Sequence, residues 1–205
     1  MAHDHPDHPP PSGRVRVACL ISGRGSNMLS LVEAAKDPAY PAEIVLVLSN
    51  NPDAPGLELA RAQGVEALAI DHRPFGKVRH AHELVIGAAL RQRRIELVAL
   101  CGYMRLLTPH LVKAWSGRLL NIHPSLLPKY PGLHTHARAL EAGDREAGCT
   151  VHQVIDEVDA GPIIGQARVP VLPGDDEAAL ASRVLAAEHE LYPRCLAEAA
   201  IRWRA

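Results

Sequence analysis

The sequence predicts an α/β fold in which a mostly parallel sheet, covered by helices on both faces, carries an antiparallel extension towards its C-terminus. Three observations predict it. Residues 15–21, 44–49 and 97–101 are apolar runs without polar alternation, the pattern of strands buried on both faces. Each run leads through a turn into a helical pattern, the order that builds a parallel sheet. Two further β-rich runs, 150–155 and 163–171, are separated by the acidic turn 156–162 and read as an antiparallel addition.

In chain order, residues 15–21 form the first strand, 22–27 a Gly-containing turn, and 28–36 a helix that stops before Pro38. Strand 44–49 passes through Asn50-Asn51-Pro52 into a helix over 56–63. A short strand at 66–70 precedes a long helix from about 77 to 93, then strand 97–101. A helix at 109–115 and a strand at 118–122 follow. After the two β-rich runs, 175–195 reads as a helix with acids in its first turn, as the helix dipole favours. There is no internal repeat. The arrangement is Rossmann-like: residues 15–205 form one domain, and residues 1–14, rich in His, Pro and Asp, form a disordered tail. His3, His5 and His8 in that tail lack the fixed framework a metal site needs, so no metal is expected there.

Composition narrows the function classes. With 47% hydrophobic and 22% charged residues the chain is globular, and 3% aromatics leaves Val, Leu, Ile and Ala to build the core. A net charge of −1 provides no general field for nucleic acid, so any phosphate must be bound locally. No apolar run is long enough for a membrane span, and the N-terminus lacks the order of a signal peptide. Cys19, Cys101, Cys149 and Cys195 are far apart and read as reduced, buried thiols of a cytoplasmic protein, without disulfides or zinc.

Two segments carry chemistry. In Ser22-Gly23-Arg24-Gly25-Ser26-Asn27 the glycines turn the chain from a buried strand into a helix whose first amides favour an anion. Met28 stands where a dinucleotide fingerprint has its third Gly, so a single phosphate fits better than a pyrophosphate; a plain capped turn reads equally well. In the second segment, alternation puts Asn121 and His123 on one face where the apolar run ends, at the strand edge where α/β sheets bind ligands. A carboxamide and an imidazole there could hold an oxyanion, although on spacing alone a strand-ending His in a satisfied hydrogen bond is the better reading. Pro124, Pro128 and Pro131 crowd the following turn, where Leu127–Pro128 is a candidate cis peptide. His134 and His136 lack further ligands at metal spacing and read as structural. Glu188 lies in the apolar register of Leu180, Val184, Leu191 and Cys195, where a carboxylate needs a partner: a cationic or amide-bearing ligand, or an internal Arg.

The run Asn121-Ile122-His123-Pro124-Ser125-Leu126-Leu127-Pro128-Lys129-Tyr130-Pro131-Gly132-Leu133-His134-Thr135-His136 resembles the signature of the folate-dependent glycinamide ribonucleotide formyltransferases. The resemblance covers about residues 15–192 and includes, in the family's order, Gly25-Ser26-Asn27, Gly102-Tyr103-Met104-Arg105-Leu106-Leu107, Asp159-Ala160-Gly161-Pro162 and Glu188-His189. It implies a formyltransferase fold and transfer of a formyl group from 10-formyltetrahydrofolate, a co-substrate rather than a bound cofactor, to the amine of glycinamide ribonucleotide. It implies Asn121, His123 and Asp159 as the catalytic trio, with Asp159 orienting His123 and favouring its charged form. Gly25, Ser26 and Asn27 would hold the nucleotide phosphate and Glu188 its glycinamide end. Arg79, Met104, Arg105, Leu106 and Leu107, with Asn121, would contact the folate. No metal is implied, both partners are small molecules, and monomer and homodimer remain open.

Two positions depart from the family pattern. Arg24 replaces a small or polar residue, and either adds phosphate affinity or faces solvent. Ala160 replaces a second Gly and would stiffen its loop. Rival readings are a formyltetrahydrofolate deformylase, expected to carry a further N-terminal domain, and a methionyl-tRNA formyltransferase, expected to carry a C-terminal domain and a basic surface. A non-catalytic nucleotide-binding module is the third.

Overall fold

The first strand, β1 (Val15–Ile21), lies at the centre of the sheet, and its two faces define the two halves of the core. A computed structural model describes residues 13–205. Val15, Val17, Cys19 and Ile21 point towards α1 (Ser26–Ala34) and α6 (Glu177–Arg204), where Met28, Leu31, Val184, Leu191 and Leu196 are buried. Ala18 and Leu20 point the other way, towards Ile86 and Leu90 of α3 (Arg79–Gln92) and Leu111 and Val112 of α4 (Pro109–Ala114). A strand with apolar residues on both faces needs a helix layer on each side, and this one has both.

From β1 the chain winds outward through β2 (Ala42–Ser49), α2 (Pro55–Ala62) and β3 (Glu66–Ala69), then crosses to β4 (Leu97–Leu100) and β5 (Leu119–His123). These five strands are parallel. After α5 (Thr135–Glu141), β6 (Glu146–Gln153) and β7 (Ile163–Pro170) add antiparallel strands, giving the order β3-β2-β1-β4-β5-β6-β7. The doubly covered, mostly parallel sheet with an antiparallel extension is the predicted architecture. The buried Tyr192 of α6 ties two strands to the helix layer: its hydroxyl lies 3.1 Å from the Leu100 carbonyl and 3.3 Å from that of Leu120.

Several boundaries differ from the expectation. Helix α1 begins at Ser26 rather than residue 28, because Gly25, at φ 73°, ends the loop two residues earlier. Strand β6 begins at Glu146, not 150. The seven-residue α5 has no counterpart in the sequence reading; only Thr135 and Ala139 of it are buried, too few for a periodic signal. Helix α6 continues through Pro193 to Arg204 instead of ending at 195. Tyr40 donates a 2.6 Å hydrogen bond to the Pro193 carbonyl, Leu196 and Ala200 are buried, and Arg204 pairs with Glu96 at 3.1 Å, so tertiary contacts hold the helix past its proline. The tail reading falls mainly on residues 1–12, which lie outside the described residues. Arg14 lies inside them, and its guanidinium bonds the carbonyls of Ala35 and Ala42. The Leu127–Pro128 peptide is cis. Among the described residues no helix is long and apolar enough to cross a membrane.

Candidate active site

The strand order reverses between β1 and β4, and the loops leaving their carboxyl ends flank the crevice where such sheets take ligands. These two loops are laced together. The Ser22 amide donates to Gly102 O at 3.2 Å, and the Met104 amide to Ser22 Oγ at 2.8 Å.

At the first loop, Gly25 caps α1 in the left-handed conformation, and no side chain caps the helix. The amides of the first turn, at Ser26 and Asn27, therefore lack a helical partner and favour an anion. Gly56 of α2 presses against this loop: its amide donates to Gly23 O at 3.1 Å. A Cβ on Gly56 would come within 2.9 Å of Gly23 O and 2.5 Å of Ile21 Cδ1. Asn27 reaches across to α6, donating from Nδ2 to Glu188 Oε2 at 2.7 Å, while Asn27 Oδ1 is buried without a partner. Burial pushes the Glu188 carboxyl up to about 7, with the Asn27 hydrogen bond acting in the opposite direction. The partner of this carboxylate is thus an amide rather than an internal Arg.

At the other end of the edge, Asn121 and His123 alternate with Leu120 and Ile122 at the end of β5, which pairs with β6 through Asn121↔His152 and His123↔Thr150. Asp159, in the β6–β7 loop at φ 54°, accepts from the Gly132 amide at 2.8 Å. Its Oδ2 lies 3.4 Å from His123 Nδ1 and its Oδ1 3.7 Å from His152 Nε2. His123 Nε2 is 2.9 Å from the Tyr130 carbonyl. A carbonyl only accepts, so Nε2 carries the proton of this bond, and Nδ1 is the ring nitrogen that faces Asp159.

His152 belongs to the same cluster, although the sequence reading did not single it out. Its Nδ1 donates to Gln153 O at 2.9 Å, which leaves Nε2 to accept from Asn121 Nδ2 at 3.2 Å. Burial lowers the His152 pKa, opposed by the Gln153 hydrogen bond and the Asp159 charge, so the ring stays neutral and keeps this acceptor. The contact orients the Asn121 amide and leaves its second N–H free. The signal for His152 was its place on a β-rich run opposite Asn121, legible only once the two strands are paired. His136 on α5 is half-buried and also has a lowered pKa, through burial first and then, against the favourable charge of Glu177, through the nearby His123.

The turn that follows His123 is clamped by the fully buried Thr150. Its hydroxyl donates to Ser125 O at 2.7 Å and accepts from the Leu127 amide at 3.0 Å and from Gln166 Nε2 at 2.8 Å. Gln166 also holds Leu127 O at 2.8 Å.

The segment expected to meet the folate leaves β4 beside Asn121, through the pair Leu100↔Asn121. Arg79 Nη1 donates to Leu106 O at 3.2 Å, so the first turn of α3 and this segment meet. The buried Glu83 fixes the segment's end, accepting from the Thr108 amide at 2.7 Å and from the Thr108 hydroxyl. Met104 and Leu106 are exposed, Arg105 is half-buried, and Leu107 packs on the α3–α4 side of the core. Asn121 and His123 lie on that side of the sheet, whereas Asn27 and Glu188 lie on the α1–α6 side. A cavity of about 560 Å³ between β7 and α6, bordered by Gly165, Arg183 and Arg194, includes none of these residues. Among the described residues no group of three metal-ligating side chains converges.

Comparison with known proteins gives a consistent result. Residues 15–196 match the formyl transferase family. The chain is 45% identical over 179 residues to the phosphoribosylglycinamide formyltransferase of Escherichia coli, covering 87% of this chain and 84% of that one. It is 50% identical over 186 residues to the trifunctional purine biosynthetic protein adenosine-3 of Drosophila melanogaster, covering 90% of this chain but only 14% of that longer protein. Among solved structures, a phosphoribosylglycinamide formyltransferase from Brucella melitensis superposes with a TM-score of 0.88 at 51% identity, covering 91% of this chain and 96% of that one.

Proposed function

The chain belongs to the formyl transferase family, and we propose that it transfers the formyl group of 10-formyltetrahydrofolate to the amino group of glycinamide ribonucleotide, a step of de novo purine synthesis. The observation that carries this reading is the meeting of Asn121, His123 and Asp159 at one edge of the sheet, with His123 Nδ1 3.4 Å from Asp159. The 84% coverage of the Escherichia coli relative adds that its named activity needs little beyond the segment shared with this chain.

In this reading the nucleotide phosphate rests on the amides of Gly25, Ser26 and Asn27, and Glu188 meets the glycinamide end. Arg79 and Met104–Leu107 (residues 104–107) face the folate, beside Asn121. The amine attacks the formyl carbon, the C=O opens to a tetrahedral oxyanion, and the free N–H of Asn121 receives that charge. His123 Nδ1 is the ring nitrogen without a carbonyl partner, so it is the one that exchanges a proton with the reacting centre, with Asp159 holding the charge beside it. The proton lost by the amine ends on the folate nitrogen as the C–N bond to the formyl carbon breaks. Holding both substrates on one edge supplies part of the rate through proximity. Four free, buried cysteines fit a reducing compartment, the cytoplasm.

The test is transfer from 10-formyltetrahydrofolate with glycinamide ribonucleotide, water and initiator tRNA offered as competing acceptors. The expected product is the formylated nucleotide. Release of formate irrespective of nucleotide, or formylation of the tRNA, would assign the chain to another formyl-handling activity.

A further inference from the structure

Between the two glycines of the anion loop stands Arg24, exposed on the surface. Its guanidinium joins no hydrogen bond or ion pair among the described residues, whereas Arg14, Arg16, Arg93, Arg183 and Arg204 are all engaged. The loop that carries it is held from behind, by Gly56 against Gly23 and by Ser22 against the loop after β4. Such a backbone presents Arg24 from a fixed base.

The charges around the loop leave a bound phosphate dianion only partly compensated by backbone. A phosphate monoester brings a charge of about −1.5 to −2 at neutral pH. The first turn of α1 returns only about half a positive charge, and contains neither Lys nor Arg. The buried ionisable group tied to the loop, through Asn27, is the acid Glu188. A dianion placed here sits near a carboxyl group and has one unengaged guanidinium one residue from Gly25.

We propose that Arg24 is a specificity residue that pairs with the phosphate of the nucleotide, so that this enzyme selects the phosphorylated substrate over the free nucleoside through a side-chain charge as well as through backbone amides. This rests on the reading of residues 25–27 as the phosphate loop. A guanidinium fits a phosphate by two parallel N–H···O bonds, a geometry that a lysine cannot reproduce.

The experiment compares kcat/KM for glycinamide ribonucleotide with that for the dephosphorylated glycinamide riboside, in wild type, Arg24→Gln, Arg24→Lys and Ser26→Asp. Arg24→Gln should raise the KM for the nucleotide by about tenfold or more, the scale of a hydrogen bond to a charged group. It should leave kcat and the KM for the folate unchanged, and it should shrink the nucleotide-over-nucleoside preference. Arg24→Lys should recover part of that preference, and the wild-type preference should weaken with added salt more than that of Arg24→Gln. Ser26→Asp, which sets a carboxylate at the loop itself, should abolish the preference. If Ser26→Asp abolishes it while Arg24→Gln leaves it intact, the phosphate loop stands and the role of Arg24 is overturned. If neither variant changes it, the phosphate binds elsewhere and both readings fall.

Discussion

The loop after β1 and the turn after β5 leave the same edge of one sheet, yet they are shaped by different parts of the chain. At the first, backbone dominates: a left-handed Gly25, a Gly56 with no room for a side chain, and helix amides without partners. At the second, side chains dominate: Thr150, Gln166, Asp159 and His152 hold the turn and the ends of Asn121 and His123. An anion of fixed shape can be met by amides, which are always donors. Proton transfer needs groups that change charge, and those must be aimed by other side chains. The first region should therefore break when an atom is added, and the second when a polar atom is removed.

The largest expected effect is in the second region. In the proposed mechanism His123 exchanges a proton with the reacting centre, so in His123→Gln kcat should fall by about 10²- to 10⁴-fold with little change in nucleotide binding. Steady-state kinetics with both substrates varied would check it. A comparable loss confined to nucleotide binding would blur the division between the regions.

Thr150→Val keeps the volume of a fully buried side chain but strips its hydroxyl, leaving Ser125 O and the Leu127 amide without that partner. Denaturant unfolding should show a loss of about 2–3 kcal/mol. Gly56→Ala tests the first region by addition. The new methyl group would meet Gly23 O, Arg24 O and Ile21 Cδ1, and should cost about 1–2 kcal/mol while raising the nucleotide KM. An alanine tolerated without effect would show that the loop is not held from behind by α2.

A further test is a pH effect at Glu188 of α6. The Glu188 carboxyl sits at about 7 in the fold, above its ordinary 4.5, because burial disfavours its charged form. A group raised in this way contributes stability that is fully present below about pH 4.5 and lost as pH rises through about 7. Glu188→Gln keeps a side chain able to bond Asn27 but cannot ionise. Relative to wild type it should gain stability, by up to about 3 kcal/mol, as pH goes from 4.5 to 8. Parallel unfolding curves at pH 5 and pH 8 would show the gain, and equal differences at both pH values would count against a buried, ionising Glu188.

Much of this organisation is legible in the amino-acid order because it depends on local pattern. The apolar runs of β1, β2 and β4 predict buried parallel strands, and the Gly turn before α1 predicts free helix amides. Glu188 betrays itself by sitting in an apolar register. What depends on distant pairing is not legible. Asn27 is 161 residues from Glu188, so an amide partner could not be read in advance of an arginine. His152 looks like any polar residue of a β-rich run until β6 is set against β5 and its ring meets Asn121. The carbonyl of Tyr130, which fixes the protonation of His123 Nε2, belongs to the backbone and has no sequence signature. Helix α6 outlasts the boundary that local preference suggests because Tyr40 and the core hold it beyond Pro193.

In the proposed division the chemistry resides in the polar cluster at the ends of β5 and β6, while the loop after β1 only binds. Asp159→Asn separates these most directly, because it keeps the size of the side chain and an oxygen for the Gly132 amide but removes the charge beside His123. The measurement is single-turnover formyl transfer from 10-formyltetrahydrofolate, together with the equilibrium Kd of glycinamide ribonucleotide, in both proteins. The expected result is a rate lower by about 10²- to 10⁴-fold and a nucleotide Kd within about twofold of wild type. A near-wild-type rate, or a loss expressed only as weaker nucleotide binding, would contradict it.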